Sequence, residues 1–134
     1  MITEIATTTG RHEIISPITG HVVTKSFFGT TVEDPLNVSA HMETVKAHLD
    51  DVPLDETIVV YVTGLSTLLQ AVFAVWIGRN CYPPMMSLDL HPGKLVFAHY
   101  DRDAETYVFK DALTGNVSRL IQSLLRNRNE HTEP

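Results

Sequence analysis

The sequence predicts an α/β domain, in the α+β sense: a mixed β-sheet with a central buried helix, a C-terminal helix and an N-terminal β-hairpin. Three observations carry this. The chain has 134 residues, 43% hydrophobic and 19% charged, which suits a single core and not a mainly disordered chain. Residues 57–63 (TIVVYVT) form a nearly continuous apolar, β-branched run, the pattern of a strand buried on both faces. Residues 65–77 (LSTLLQAVFAVWI) follow at once and are apolar almost all round, as in a helix packed deep in a domain.

The other elements fall around this pair. Residues 12–16 and 21–28 read as strands flanking Pro17-Ile18-Thr19-Gly20, a turn with Pro early and Gly late. Asp34-Pro35 breaks the chain. A helix is expected over 38–50, capped by Asn37 or Ser39, with Met42, Val45 and Leu49 as its apolar face. Pro53 ends it, and Gly78 is expected to stop the second helix. Pro83-Pro84 marks a loop, then strands are expected at 85–90, 94–100 and 105–110, with turns at 91–94 and 101–104. Gly115-Asn116 opens a last helix over 117–128. The domain divides into a hairpin region (1–30), an α/β core (38–128) and a frayed tail (129–134).

Composition and charge exclude several classes. No apolar run approaches the roughly 20 residues of a membrane span, so no membrane partner is expected. The start of the chain is Thr-rich without a basic-then-apolar pattern, so no signal peptide is expected. The single cysteine, Cys81, has no partner for an internal disulfide and reads as structural. These point to a cytoplasmic protein, in the host cytoplasm if it is viral. Of the net charge of −6, all is accounted for between Glu33 and Glu56, where seven acids face one base, Lys46. Lacking a broad basic stripe, the chain is not expected to bind long nucleic acid. A small anion held by one or two arginines and backbone amides is compatible with this charge distribution.

Two segments carry candidate chemistry. In Val60-Tyr61-Val62-Thr63-Gly64-Leu65-Ser66-Thr67, a buried strand runs through a glycine into a helix start rich in hydroxyls. Unpaired first-turn N–H groups and the helix dipole favour an anion there. A plainer reading makes Ser66 an ordinary helix cap. It is no P-loop, because the glycine run and the lysine are missing. The second segment is His99-Tyr100-Asp101-Arg102-Asp103, a strand end with an aromatic, an acid and an arginine. Arg102 suits a phosphate, and His99 suits acid–base work. The plainer reading is an exposed hairpin turn. His41 and His48 are seven apart, the wrong spacing for a helical zinc pair, and no metal or cofactor is expected. A triad of Ser66, His99 and Asp101 lacks the G-x-S-x-G elbow.

Thr63-Gly64-Leu65-Ser66-Thr67-Leu68 before an apolar helix resembles the ligand loop of CARF-type domains, which sense cyclic oligonucleotides in CRISPR defence. Residues 58–109 are also similar to the small CRISPR-associated ring nucleases, which pair such a loop with a downstream Tyr-Asp-x-Arg segment. Here that segment is Tyr100-Asp101-Arg102, one residue shorter. The same pairing resembles phage proteins that sequester immune signalling nucleotides, such as the anti-Thoeris sponges. Residues 1–51 match none of these groups. The resemblance implies a ligand site of Thr63, Gly64, Leu65, Ser66, Thr67, Tyr100, Asp101 and Arg102. It also implies a homo-oligomer and a cyclic or signalling nucleotide as ligand. If the protein is a metal-independent ring nuclease rather than a sponge, His99 and Arg102 would be catalytic. A role in protein interaction through the acidic 33–56 face is the alternative without a ligand.

Overall fold

The computed structural model describes residues 2–10, 12–63, 66–80 and 93–112. The expected strand at 85–90, the loop at Pro83-Pro84, the last helix at 117–128 and the tail at 129–134 lie outside them.

Six elements follow one another: β1 (Ile2–Ala6), α1 (Val38–Leu49), β2 (Thr57–Tyr61), α2 (Ser66–Asn80), β3 (Leu95–Asp101) and β4 (Thr106–Asp111). The four strands form one mixed sheet in the order β1-β2-β3-β4. β1, β2 and β3 are parallel, with Ala6 beside Tyr61 and Tyr61 beside Ala98. β4 returns antiparallel along β3, pairing Tyr100 with Tyr107 and Ala98 with Phe109. The fold is therefore α/β with a mixed sheet, as expected from the sequence.

β2 owes its interior place to its side chains. Ile58, Val59, Val60 and Tyr61 are all buried, two on each face, and neighbours on both edges satisfy its backbone. On one face Ile58 and Val60 join Ile5 and Leu95 against Val45 and Leu49 of α1 and Ala71, Val72 and Trp76 of α2. On the other face Val59 and Tyr61 join Ala6 and Ala98 beneath Ile14 and Val23. The sheet thus lies between two helices and a chain segment that is neither strand nor helix.

Gly93 locks the entry to β3. A Cβ there would sit 2.0 Å from the Glu56 carbonyl oxygen. That close approach lets the Gly93 N–H reach the Leu54 carbonyl at 2.9 Å.

Several expectations need correction. The N-terminal hairpin keeps its turn, with a bridge between Ile15 and Val22 and a Ser16 N–H to His21 O bond of 2.9 Å, but its arms form no strands. It lies on the sheet face, where packing of Ile14 and Val23 holds it rather than a ladder. The expected strand 21–28 splits, because residues past Thr24 leave the hairpin and Ser26 bridges β1 at Ala6. β1 is a further strand beyond those expected, formed by the Thr-containing start of the chain through its pairing with β2. On α1, Asn37 caps as expected, its side chain accepting the Ala40 N–H at 3.2 Å. However, the buried stripe is His41, Val45 and Leu49, while Met42 is 36% exposed. His41 is tolerated inside because its Nε2 lies 3.1 Å from the Pro35 carbonyl and its ring meets Phe28 edge-on at 5.3 Å. Finally, Gly78 does not stop α2, which continues to Asn80. Buried Asn80 donates to the Leu54 carbonyl at 3.0 Å, so a tertiary contact holds the last turn. Nor is α2 buried all round: Ser66, Gln70, Ala74 and Gly78 are exposed.

Candidate functional site

A cleft of about 1300 Å³ opens at the carboxyl ends of the three parallel strands. Ligands collect at that edge in α/β sheets, where strand ends and helix starts present unpaired backbone groups. Three stretches wall it: Thr8–Gly10 after β1, Val62 and Thr63 after β2, and the β3–β4 turn with Tyr100, Arg102, Glu105 and Tyr107. His12, Glu13 and Ile15 from the hairpin and Thr30 close the far side.

The candidate residues from the sequence divide clearly. Thr63, Tyr100 and Arg102 meet in this cleft. Gly64 and Leu65 lie outside the described residues. Ser66 is exposed at the start of α2. Thr67 spends its hydroxyl on the Pro35 carbonyl at 2.7 Å, tying α2 to the loop before α1. Asp101 turns its carboxylate back on the chain and accepts the Asp103 N–H at 2.9 Å, so it builds the turn.

His99 separates from Arg102. Along β3, alternate side chains face opposite sides of the sheet. Phe97 packs on Phe73 of α2, and His99 follows it on that helix side, its ring 6.4 Å from Phe97. Ala98 and Tyr100 face the hairpin side. His99 is therefore not part of the cleft wall, and a His99–Arg102 catalytic pair does not form there.

Thr63 is a structural knot. Its Oγ1 accepts the Thr8 N–H at 3.0 Å and donates to the Thr8 carbonyl at 2.8 Å. Its N–H donates to Thr7 Oγ1 at 2.9 Å, and Thr7 also bonds the Thr63 carbonyl. These bonds join the ends of β1 and β2 and set the cleft floor. The hydroxyl is committed to that work and is not free to donate to an anion.

The aromatic wall is a ladder across strands. Tyr61 meets Tyr107 edge-on at 4.9 Å, and Tyr107 meets Tyr100 at 5.4 Å. Tyr61 is fully buried, whereas Tyr100 is 55% exposed. Burial raises both the Tyr61 and Tyr107 phenols above their ordinary range. The Ser16 hydroxyl near Tyr61 works against the rise, but the Tyr61 hydroxyl has no partner in hydrogen-bond geometry among the described residues. Ser16 is instead held by Glu4 at 2.7 Å. Arg102 is exposed and makes no salt bridge among the described residues, which leaves its guanidinium fork open to the cleft. Among those residues no cluster of His, Cys, Asp or Glu could hold a metal ion, and no helix is long and apolar enough to cross a membrane.

Sequence reasoning missed Thr8, Gly10, His12, Glu13, Glu105 and Tyr107. One signal was present: Ala6-Thr7-Thr8-Thr9-Gly10 repeats the strand, threonine, glycine order of Tyr61-Val62-Thr63-Gly64. Compared with protein-family models, curated proteins and solved structures, the chain matches none.

Proposed function

We propose that this protein binds a small phosphate-bearing nucleotide in the cleft and holds it without cutting it, as a sponge that controls an immune second messenger. The observation that carries this reading is the convergence on one wall of Tyr100, Tyr107 and Arg102, which makes no salt bridge among the described residues. An exposed tyrosine face stacks on a base. The guanidinium fork two residues away grips a phosphate oxygen pair. The cleft also holds Glu13 and Glu105, which disfavour a highly charged polyphosphate and suit a phosphodiester with one charge per phosphate. A cyclic nucleotide has that chemistry. Holding is favoured over cutting because His99, the acid–base candidate, faces the helix side of β3.

Cutting has one observation in its favour: His12 shares the cleft with Arg102. In that reading His12 takes the proton of a ribose 2′-hydroxyl, O2′ attacks phosphorus and the P–O5′ bond breaks. Arg102 stabilises the added charge, and the leaving oxygen takes a proton from water.

The experiment is incubation with a panel of cyclic mono-, di- and trinucleotides, followed by heat denaturation and chromatography of the released material. Intact nucleotide supports the sponge. A linear product with a 2′,3′-cyclic phosphate, lost in His12→Ala, supports the nuclease. Retention of nothing overturns both and turns attention to the acidic 33–56 segment as a protein-docking face.

A further inference from the structure

Among the described residues β1 is an edge strand whose outer side is only half closed. The Thr7 N–H reaches Tyr61 O at 3.1 Å, so odd-numbered positions of β1 bond toward β2 and even-numbered ones point outward. At Ala6 both outward groups are used: its N–H donates to Lys25 O and its carbonyl accepts from Phe27 N, each at 2.9 Å. At Ile2 and Glu4 the outward N–H and C=O have no backbone partner among the described residues. The chain that would continue to cover them, residues 22–25, drops instead onto the sheet face with Val23 buried. A groove of about 250 Å³ is left, bordered by Ile2, Thr3 and Glu4 on one side and residues 22–25 on the other. Its rim is apolar. Ile2 is 52% exposed and Val22 45%. An open edge with aliphatic flanks is the arrangement that monomeric proteins blunt with charge, proline or a bulge.

We propose that this edge pairs with a second copy of the chain, β1 running antiparallel to β1 across a two-fold axis at Thr3. Symmetry and the hydrogen-bond parity leave few registers. Paired positions must both point outward, so the axis lies at residue 2, 3 or 4. An axis at residue 4 sets Glu4 against Glu4 of the second copy and calls on Ala6, which Lys25 and Phe27 already occupy. Within residues 2–6, an axis at residue 2 pairs only Ile2 with Ile2 and gives Glu4 no partner among them. An axis at Thr3 pairs Ile2 with Glu4 in both directions and uses every outward group left open among the described residues of β1. It also sets Thr3 opposite Thr3, a favourable cross-strand pair. Glu4 and Lys25 border the same groove with opposite charges, so two copies of it meet without net like-charge repulsion. The result is a closed, isologous dimer whose two sheets become one. This inference stands apart from the nucleotide reading, since the cleft lies at the other end of the strands.

Sedimentation of the full chain at micromolar concentrations tests it, together with a cross-link. In a Cys81→Ser background, Thr3→Cys is expected to give a disulfide-linked dimer on mild oxidation. Facing residues at a non-hydrogen-bonded antiparallel pair have Cα atoms about 4.5 Å apart, within disulfide reach. Ile2→Cys, which faces Glu4 of the other copy, is expected to cross-link much less. Ile2→Lys, at an exposed site, is expected to give a folded monomer by circular dichroism. A wild-type chain that stays monomeric overturns the proposal. A dimer that Ile2→Lys leaves intact overturns it too, as does stronger cross-linking of Ile2→Cys than of Thr3→Cys.

Discussion

The two faces of the sheet come from alternate residues of the same strands, yet they are built differently. On the helix side, Ile5, Ile58, Val60 and Leu95 meet the buried side chains of α1 and α2 in one continuous apolar cluster. On the hairpin side, among the described residues, Val59, Tyr61 and Ala98 are covered by Ile14 and Val23, with Val96 and Tyr107 packed at the margin. The rest of that face carries tyrosines, hydroxyls and the cleft. Close packing stabilises the first face and leaves no room for a ligand. The second gives up burial for space and polar groups. A site needs such a face, and the stability it lacks is supplied by the other.

The largest expected effect tests the helix side. Val60 is fully buried, so Val60→Asp places an unpaired charge in the apolar cluster and is expected to cost about 3 kcal/mol or more. An unchanged melting temperature would break the comparison outright. Arg102→Ala tests the other face. It is expected to weaken binding of the retained nucleotide about ten- to hundredfold, as for the loss of a charge-assisted contact, with melting unchanged because the residue is exposed. Lys94→Ala is the control: it is exposed at the opposite end of β3, 3.9 Å from Asp111, and is expected to leave affinity near wild type. Equal losses in a calorimetric titration would mean diffuse electrostatics and no site.

Smaller effects sharpen the picture. Glu105 lines the cleft with φ of 54°, a left-handed conformation that costs a side-chain-bearing residue about 1 kcal/mol. Glu105→Gly is expected to leave stability equal or raise it by up to about that amount in urea melts. A clear loss would mean that the carboxylate supports the turn. Tyr61→Phe is expected to change stability least at neutral pH, because the buried hydroxyl it removes has no partner among the described residues. Its effect lies at high pH. The folded phenol is raised, so the native state keeps its proton where the unfolded chain has begun to lose it, from about pH 10 upward. The stability is present below that range and is lost as pH rises toward the folded value. Tyr61→Phe is expected to flatten the decline, with Tyr107 supplying what is left. An identical decline in the variant would place the titrating group elsewhere.

Local signals made much of this legible. The strand at 57–63 and the helix after it were clear, because residues 58–61 are buried on both faces and leave no alternating pattern to misread. The cap at Asn37 and the turn at 101–104 also follow from short-range hydrogen bonding. Of the candidate site, the sequence singles out Tyr100 and Arg102 because an aromatic and an arginine at a strand end suit a base and a phosphate, and the fold places both in the cleft wall. Thr67 misled because a hydroxyl at a helix start bonds equally well to an anion or to a distant carbonyl, here that of Pro35.

The sequence by itself determined which segments are strand and helix in the centre of the domain, since periodicity, caps and turn residues act within a few positions. Only the tertiary structure decided that residues 2–6 are a strand, because its partner lies more than fifty residues away at β2. Only the fold decided that His41 rather than Met42 turns inward, since the Pro35 carbonyl and Phe28 supply the contacts that make a buried imidazole acceptable. The same holds for the split between His99 and Tyr100. Adjacent in sequence, they are parted by the pleat, and which side each meets depends on where α2 and the hairpin come to rest. A pleat alternates blindly, so the chain's long-range packing alone assigned one neighbour to the helices and the other to the cleft.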